Sequence, residues 1–191
     1  PDDPVLALPA ARALERIYAA QGKTKEIAEA LRAEVRLEES AETRRELLGR
    51  LGEISEQMLE DLEGAIGAWK SRLDDDPTDA AALAALDRLY ARTGKHAALV
   101  EVLRSRERAA DAPEQRKDFM TRAARTLADD LGDVPEAILA YRAVLDDFGA
   151  EASVLAALAR LYEKAERWQD LAETLESQLS ISNDDARSEE H

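Results

Sequence analysis

Between residues 79 and 148, apolar side chains recur at steps of three and four, the spacing that keeps them on one face of an α-helix. Leu83, Leu86 and Tyr90 stripe a first segment, and Leu99 and Leu103 a second. Met120, Ala123, Leu127 and Leu131 mark a third, and Ile138, Tyr141 and Leu145 a fourth. The pattern predicts helices over 79–93, 96–110, 113–131 and 134–148. Gly94, Pro113 and Gly132 stand at the joins, proline where a helix can start and glycine where one can end. On the first of these helices Leu86 belongs to the packed stripe, whereas Arg88 points away from it.

The pattern is repeated. Ala13-Leu14-Glu15-Arg16-Ile17-Tyr18 returns as Ala85-Leu86-Asp87-Arg88-Leu89-Tyr90 and again as Ala157-Leu158-Ala159-Arg160-Leu161-Tyr162. The tyrosines at 18, 90 and 162 are evenly spaced, with a period of 72. The same offset pairs Gly22 with Gly94, Leu31 with Leu103 and Leu175, Arg44 with Arg116, and Asp61 with Asp133. Ala65-Ile66-Gly67-Ala68-Trp69 aligns with Ala137-Ile138-Leu139-Ala140-Tyr141, and Leu73-Asp74-Asp75 with Leu145-Asp146-Asp147. A period this regular is the signature of a repeat architecture, in which each unit buries its apolar face against its neighbours.

Half of that period is a helix pair of about 36 residues, close to the roughly 34 residues of a tetratricopeptide (TPR) repeat. Tyr18 with Gly22, and Tyr90 with Gly94, resemble the end of that family's first helix. Ala65 to Trp69, closed by Asp76-Pro77, resembles its second, and Ala137 with Tyr141 matches again. The chain departs from the family pattern at Ile27, Leu99 and Leu171, where a small residue is usual, and at Glu15 and Asp87. The resemblance implies an all-α, right-handed superhelical solenoid of antiparallel helix pairs. The expected pairs are 5–40, 41–76, 77–111, 112–149 and 150–182, with 183–191 a tail or the start of a further repeat. Pro1-Asp2-Asp3-Pro4 resembles the Asp74 to Pro77 helix end, so the array is expected to extend beyond both ends of the sequence.

Composition narrows the function. The formal charge of −15 and the pI near 4.6 set the surface against nucleic acid and anionic lipid. No apolar run reaches the roughly 18 residues of a membrane span, so direct membrane insertion is not expected. The chain has no cysteine, which excludes disulfides and thiolate chemistry and leaves the compartment open, with the cytoplasm favoured.

Catalytic and metal chemistry find no constellation. His96 and His191 stand apart with no ligand partner at metal spacing; His96 reads as a surface residue. Asp74, Asp75, Asp76 and Asp79 cluster oxygens that calcium favours, but the glycine and distal glutamate of an EF-hand are missing. The run reads instead as a helix end, with Asp79 capping the next helix. Trp69 and Tyr141 read as core, and Trp168, whose counterparts are Thr24 and His96, as exposed. No cofactor, no metal and no catalytic residue are expected, and the chain reads as no enzyme.

Arginines carry the candidate site. The family resemblance implies that first helices line a concave groove, which places Arg16, Arg88 and Arg160 there, with Arg12, Arg92 and Lys164 four residues away. No acid lies three or four residues from Arg16 or Arg88, and Arg160 has only Glu163. Such a stripe suits an acidic segment or a C-terminal carboxylate of a protein or peptide partner. The competing reading has these cations pair with acids of adjacent helices and fix the stacking. The function expected is therefore a protein-interaction scaffold, with a structural spacer, or an array self-associating through its ends, as the alternative.

Overall fold

In the computed structural model, residues 4–189 are described; Pro1 to Asp3 and His191, on which two of the expectations above fall, lie outside them. The described residues form ten α-helices and one π turn with no strand: α1 Pro4–Ala20, α2 Thr24–Leu37, α3 Ala41–Gln57, α4 Leu62–Asp75, α5 Ala80–Thr93, α6 His96–Ala109, α7 Pro113–Arg125, α8 Val134–Phe148, α9 Ala152–Lys164 and α10 Trp168–Glu189. The π turn, Thr126–Asp130, continues α7. The fold is all-α and TPR-like, built of antiparallel helix pairs. The helices form two compact units, residues 1–93 and 94–191.

In the first unit α1 packs on α2, α2 on α3, α3 on α4 and α4 on α5. Ala28 and Leu31 of α2 meet Leu47 and Leu51 of α3 and Ala68 of α4 in one cluster. In the second unit the same order runs from α6 to α10. Its core gathers Val100, Met120, Leu127, Ile138, Tyr141, Val144, Leu158 and Tyr162. Burying side chains of this size contributes roughly 1.5–3 kcal/mol each. Trp69 and Tyr141, at one register, are both buried.

The repeat extends to helix ends. Lys23 N–H donates to the Tyr18 carbonyl and Gly22 N–H to that of Ala19; Arg167 donates to Tyr162 and Glu166 to Glu163 in the same way. This Schellman ending places its central residue in the left-handed region: Gly22 at φ +66°, but Glu166 at φ 55°. A side chain there costs about 1–2 kcal/mol that glycine avoids.

One expectation about this end of the fold is corrected. The third helix of the repeat unit does not run straight to residue 131. After Arg125 the backbone widens, with Leu131 N–H donating to the Thr126 carbonyl and Asp133 N–H to that of Leu127. Leu59 to Ile54 and Asp61 to Ser55 repeat the pattern at the end of α3. The extra residue per turn shifts the helical phase, so Leu127 is buried and Leu131, expected on the same stripe, is exposed.

Candidate functional site

Ion pairs at fixed register stitch neighbouring helices. Arg44 of α3 grips Asp75 at the end of α4 through Nε and Nη2, each at 2.9 Å, and one period later Arg116 of α7 pairs with Asp147. Arg45 reaches Asp79 at 3.6 Å, and its counterpart Lys117 pairs with Glu151. Asp79 also caps α5, accepting from the Ala82 N–H at 2.9 Å and from Arg72 Nε at 2.7 Å. Burial pushes its carboxyl up, but these hydrogen bonds outweigh that and hold it below the ordinary range. The aspartate run thus serves helix ends, and no group of three metal-ligating side chains occurs among the described residues.

The six cations singled out from the sequence fall into two groups. Arg12 Nη2 lies 2.6 Å from Glu38, and its Nε lies 4.0 Å from the buried Glu34. Arg88 Nη2 lies 2.6 Å from Glu56 of α3, and Arg92 Nη1 lies 2.5 Å from the same carboxylate. One acid thereby bridges two like charges a turn apart on α5 and offsets their repulsion. The Arg88 hydrogen bond is the largest of the influences that hold the Glu56 carboxyl below its ordinary range. Arg16, Arg160 and Lys164, by contrast, take part in no ion pair among the described residues.

Arg160 and Lys164 of α9 instead border a cavity of about 200 Å³, floored by Ala128, Tyr141, Ala157 and Leu161 and edged by Asp129. The register explains why these two cations lack the acid. Glu56 and Ala128 are equivalent positions of the repeat, so the place that supplies the carboxylate to Arg88 and Arg92 supplies only a methyl group to Arg160 and Lys164. Burial raises the pKa of Tyr141, against the opposing positive charge of Arg125. Glu56 was missed in the sequence because it lies far from Arg88 along the chain, on another helix. Comparing positions 56 and 128 across the repeat was the signal that could have found it.

Trp168 and His96 stand outside this network. Trp168 is 61% exposed. His96, expected at the surface, is half-buried, and its Nδ1 is enclosed 3.5 Å from Asp130 at the end of the π turn.

Residues 154–189 match the sequence model of the tetratricopeptide repeat. No curated protein sequence matches the chain. Among solved structures, a crystal structure of MamA protein is 15% identical with a TM-score of 0.53, covering 95% of this chain and 95% of that one. A structure of MamA AMB-1 is 19% identical with a TM-score of 0.53 and 92% coverage of both chains. One of MamA MSR-1 is 18% identical, with a TM-score of 0.50, covering 94% of this chain and 99% of that one. At such identities the likeness speaks for the fold alone. Together with the even spacing of the repeat and the helix-pair packing, it shows a TPR-like fold, with a tetratricopeptide repeat matched in sequence at residues 154–189.

Proposed function

We propose that the chain is a non-catalytic protein-interaction scaffold and that Arg160 and Lys164 receive a carboxylate from an acidic segment or the C-terminus of a partner. The observation that carries this reading is the loss of the acid at position 128 beside two cations that bracket a cavity. In the preceding copy of the repeat the same two positions hold a carboxylate already, that of Glu56. A guanidinium and an ammonium one turn apart, over an apolar floor, suit an anion brought in with apolar neighbours. Arg16 offers a further unpaired cation, whereas Arg12, Arg88 and Arg92 serve the helix packing.

The spacer reading draws support from those last three ion pairs, since a surface satisfied by its own acids needs no ligand. Anisotropy with a fluorescein-labelled hexaglutamate peptide separates the two. A chain of net charge −15 repels this probe overall, so saturable binding requires a local cationic site. The expected result is binding that weakens at least tenfold in Arg160→Ala/Lys164→Ala. It also weakens with salt, as the Debye length contracts from about 10 Å at 0.1 M to about 3 Å at 1 M. No binding, or binding indifferent to both changes, supports the spacer.

A further inference from the structure

The face where α6, α7 and α8 meet stands at the same register as the face of α2, α3 and α4 one period earlier, and the repeat departs from itself there. In the first unit Val35 and Leu51 fill it: Leu51 belongs to the core cluster and Val35 packs against that cluster. Their equivalents in the second unit are Glu107 and Ala123. Apolar volume is lost at both positions, and a cavity of about 260 Å³ opens. Arg104 and Glu107 of α6, Met120 and Ala123 of α7, and Ala140 and Ala143 of α8 line it. All three helices that the repeat supplies at this register are in place, so the opening comes from these side chains and not from a missing neighbour.

The rim changes in the opposite sense. Gly64 and Gly67 of α4 become Glu136 and Leu139 of α8, both at the edge of the cavity, and Leu139 is 61% exposed. Arg104 lies 3.3 Å from Glu136 and 3.5 Å from Glu101. Glu107 takes part in no ion pair among the described residues. Three carboxylates thus stand about one guanidinium, and the hollow carries net negative charge over an apolar floor.

Pockets for drug-sized ligands start at about 300 Å³, so this one suits a single long side chain. Lysine and arginine match both of its halves, because their methylene stems cover apolar surface while the charged head stays at the rim. There the head donates charge-assisted hydrogen bonds to carboxylates. We propose that the α6–α8 groove docks a basic segment of a partner protein. One lysine or arginine lies on Met120, Ala123, Ala140 and Ala143 with its head at Glu107 and Glu136, and an adjacent apolar residue covers Leu139. The groove is separate from Arg160 and Lys164, and the proposal stands whatever those cations bind.

A fluorescein-labelled hexapeptide of alternating lysine and leucine, titrated against the full chain, is the probe. A chain of net charge −15 attracts any basic peptide, so salt dependence alone decides nothing and the variants must separate seat from charge. Glu107→Val restores the residue of the first copy, and Ala143→Leu fills the cavity without altering charge. Circular dichroism and melting are expected to show both folded, and hexaglutamate binding at Arg160 and Lys164 is expected to be unchanged in both. Saturable binding of the basic probe is expected, weakened at least tenfold by each variant. Absence of binding overturns the proposal. Binding that ignores Ala143→Leu also overturns it, since charge alone then holds the peptide, as does binding that ignores Glu107→Val, since this acid then plays no part. Sedimentation supplies the remaining outcome: if the unaltered chain forms an oligomer that Glu107→Val dissociates, the occupant is a second copy and the partner-protein proposal fails.

Discussion

Gly52 and Trp69 form a size-matched pair whose counterpart one period on is Ala124 and Tyr141, so the repeat has written the same contact in two ways. A Cβ built on Gly52 lies 2.6 Å from both Cε2 and Nε1 of Trp69, well inside ordinary contact. Trp69 is buried, so the ring has little room to retreat. Overpacking of this kind costs about 1–3 kcal/mol. Replacing a helical glycine by alanine returns roughly 1 kcal/mol through backbone entropy. Gly52→Ala is therefore expected to destabilise the chain by up to about 2 kcal/mol. In a Trp69→Tyr background the smaller ring recreates the Ala124–Tyr141 contact, where both residues are buried, and Gly52→Ala becomes neutral or stabilising by up to about 1 kcal/mol. Urea denaturation of the four variants, followed by circular dichroism, measures the coupling. A coupling of more than about 1 kcal/mol is expected; independent sites add within roughly 0.5 kcal/mol, and additivity of that quality would refute the reasoning.

Leu86→Asp buries an unpaired carboxylate in place of a fully buried leucine and is expected to cost several kcal/mol. Arg88→Ala leaves Arg92 on Glu56 and costs about 1 kcal/mol or less, a contrast that melting temperatures check. Glu56 has a depressed pKa, so its contribution is present above the ordinary value near 4.5 and is lost as the pH falls through the lower folded value. Glu56→Gln should accordingly destabilise at pH 7, with the gap closing in acid. Glu34 behaves oppositely. Burial first, and the charge of Glu15 second, raise its pKa, and its Oε1 is buried without a hydrogen-bond partner. The folded state holds its proton more tightly, so the stability it contributes below the ordinary value is lost as the pH rises through the raised folded value. Glu34→Gln should thus raise the melting temperature at pH 7, and the gain should vanish below about pH 4.5.

Much of the fold was legible because a helix announces itself by local spacing. The stripe of Leu83, Leu86 and Tyr90, the cap at Asp79 and the recurring tyrosines all act within a few residues of themselves. The π turn was not legible, since its i→i+5 bonds leave no spacing rule that a straight helix at 113–131 would violate. The candidate site was half legible. The cations stood out on their own helices, but what decides their role is a residue on another helix, Glu56 for one pair and Ala128 for the other.

The claim that an absent acid leaves Arg160 and Lys164 free for a partner is tested most directly by restoring it. Ala128→Glu puts a carboxylate where Glu56 stands in the preceding copy, and Ala128 is only partly buried, so the longer side chain has room to reach the cations. This variant is predicted to melt higher than the unaltered chain and to lose binding of the hexaglutamate probe. An Ala128→Glu chain that binds the probe as tightly as the unaltered protein would contradict the claim.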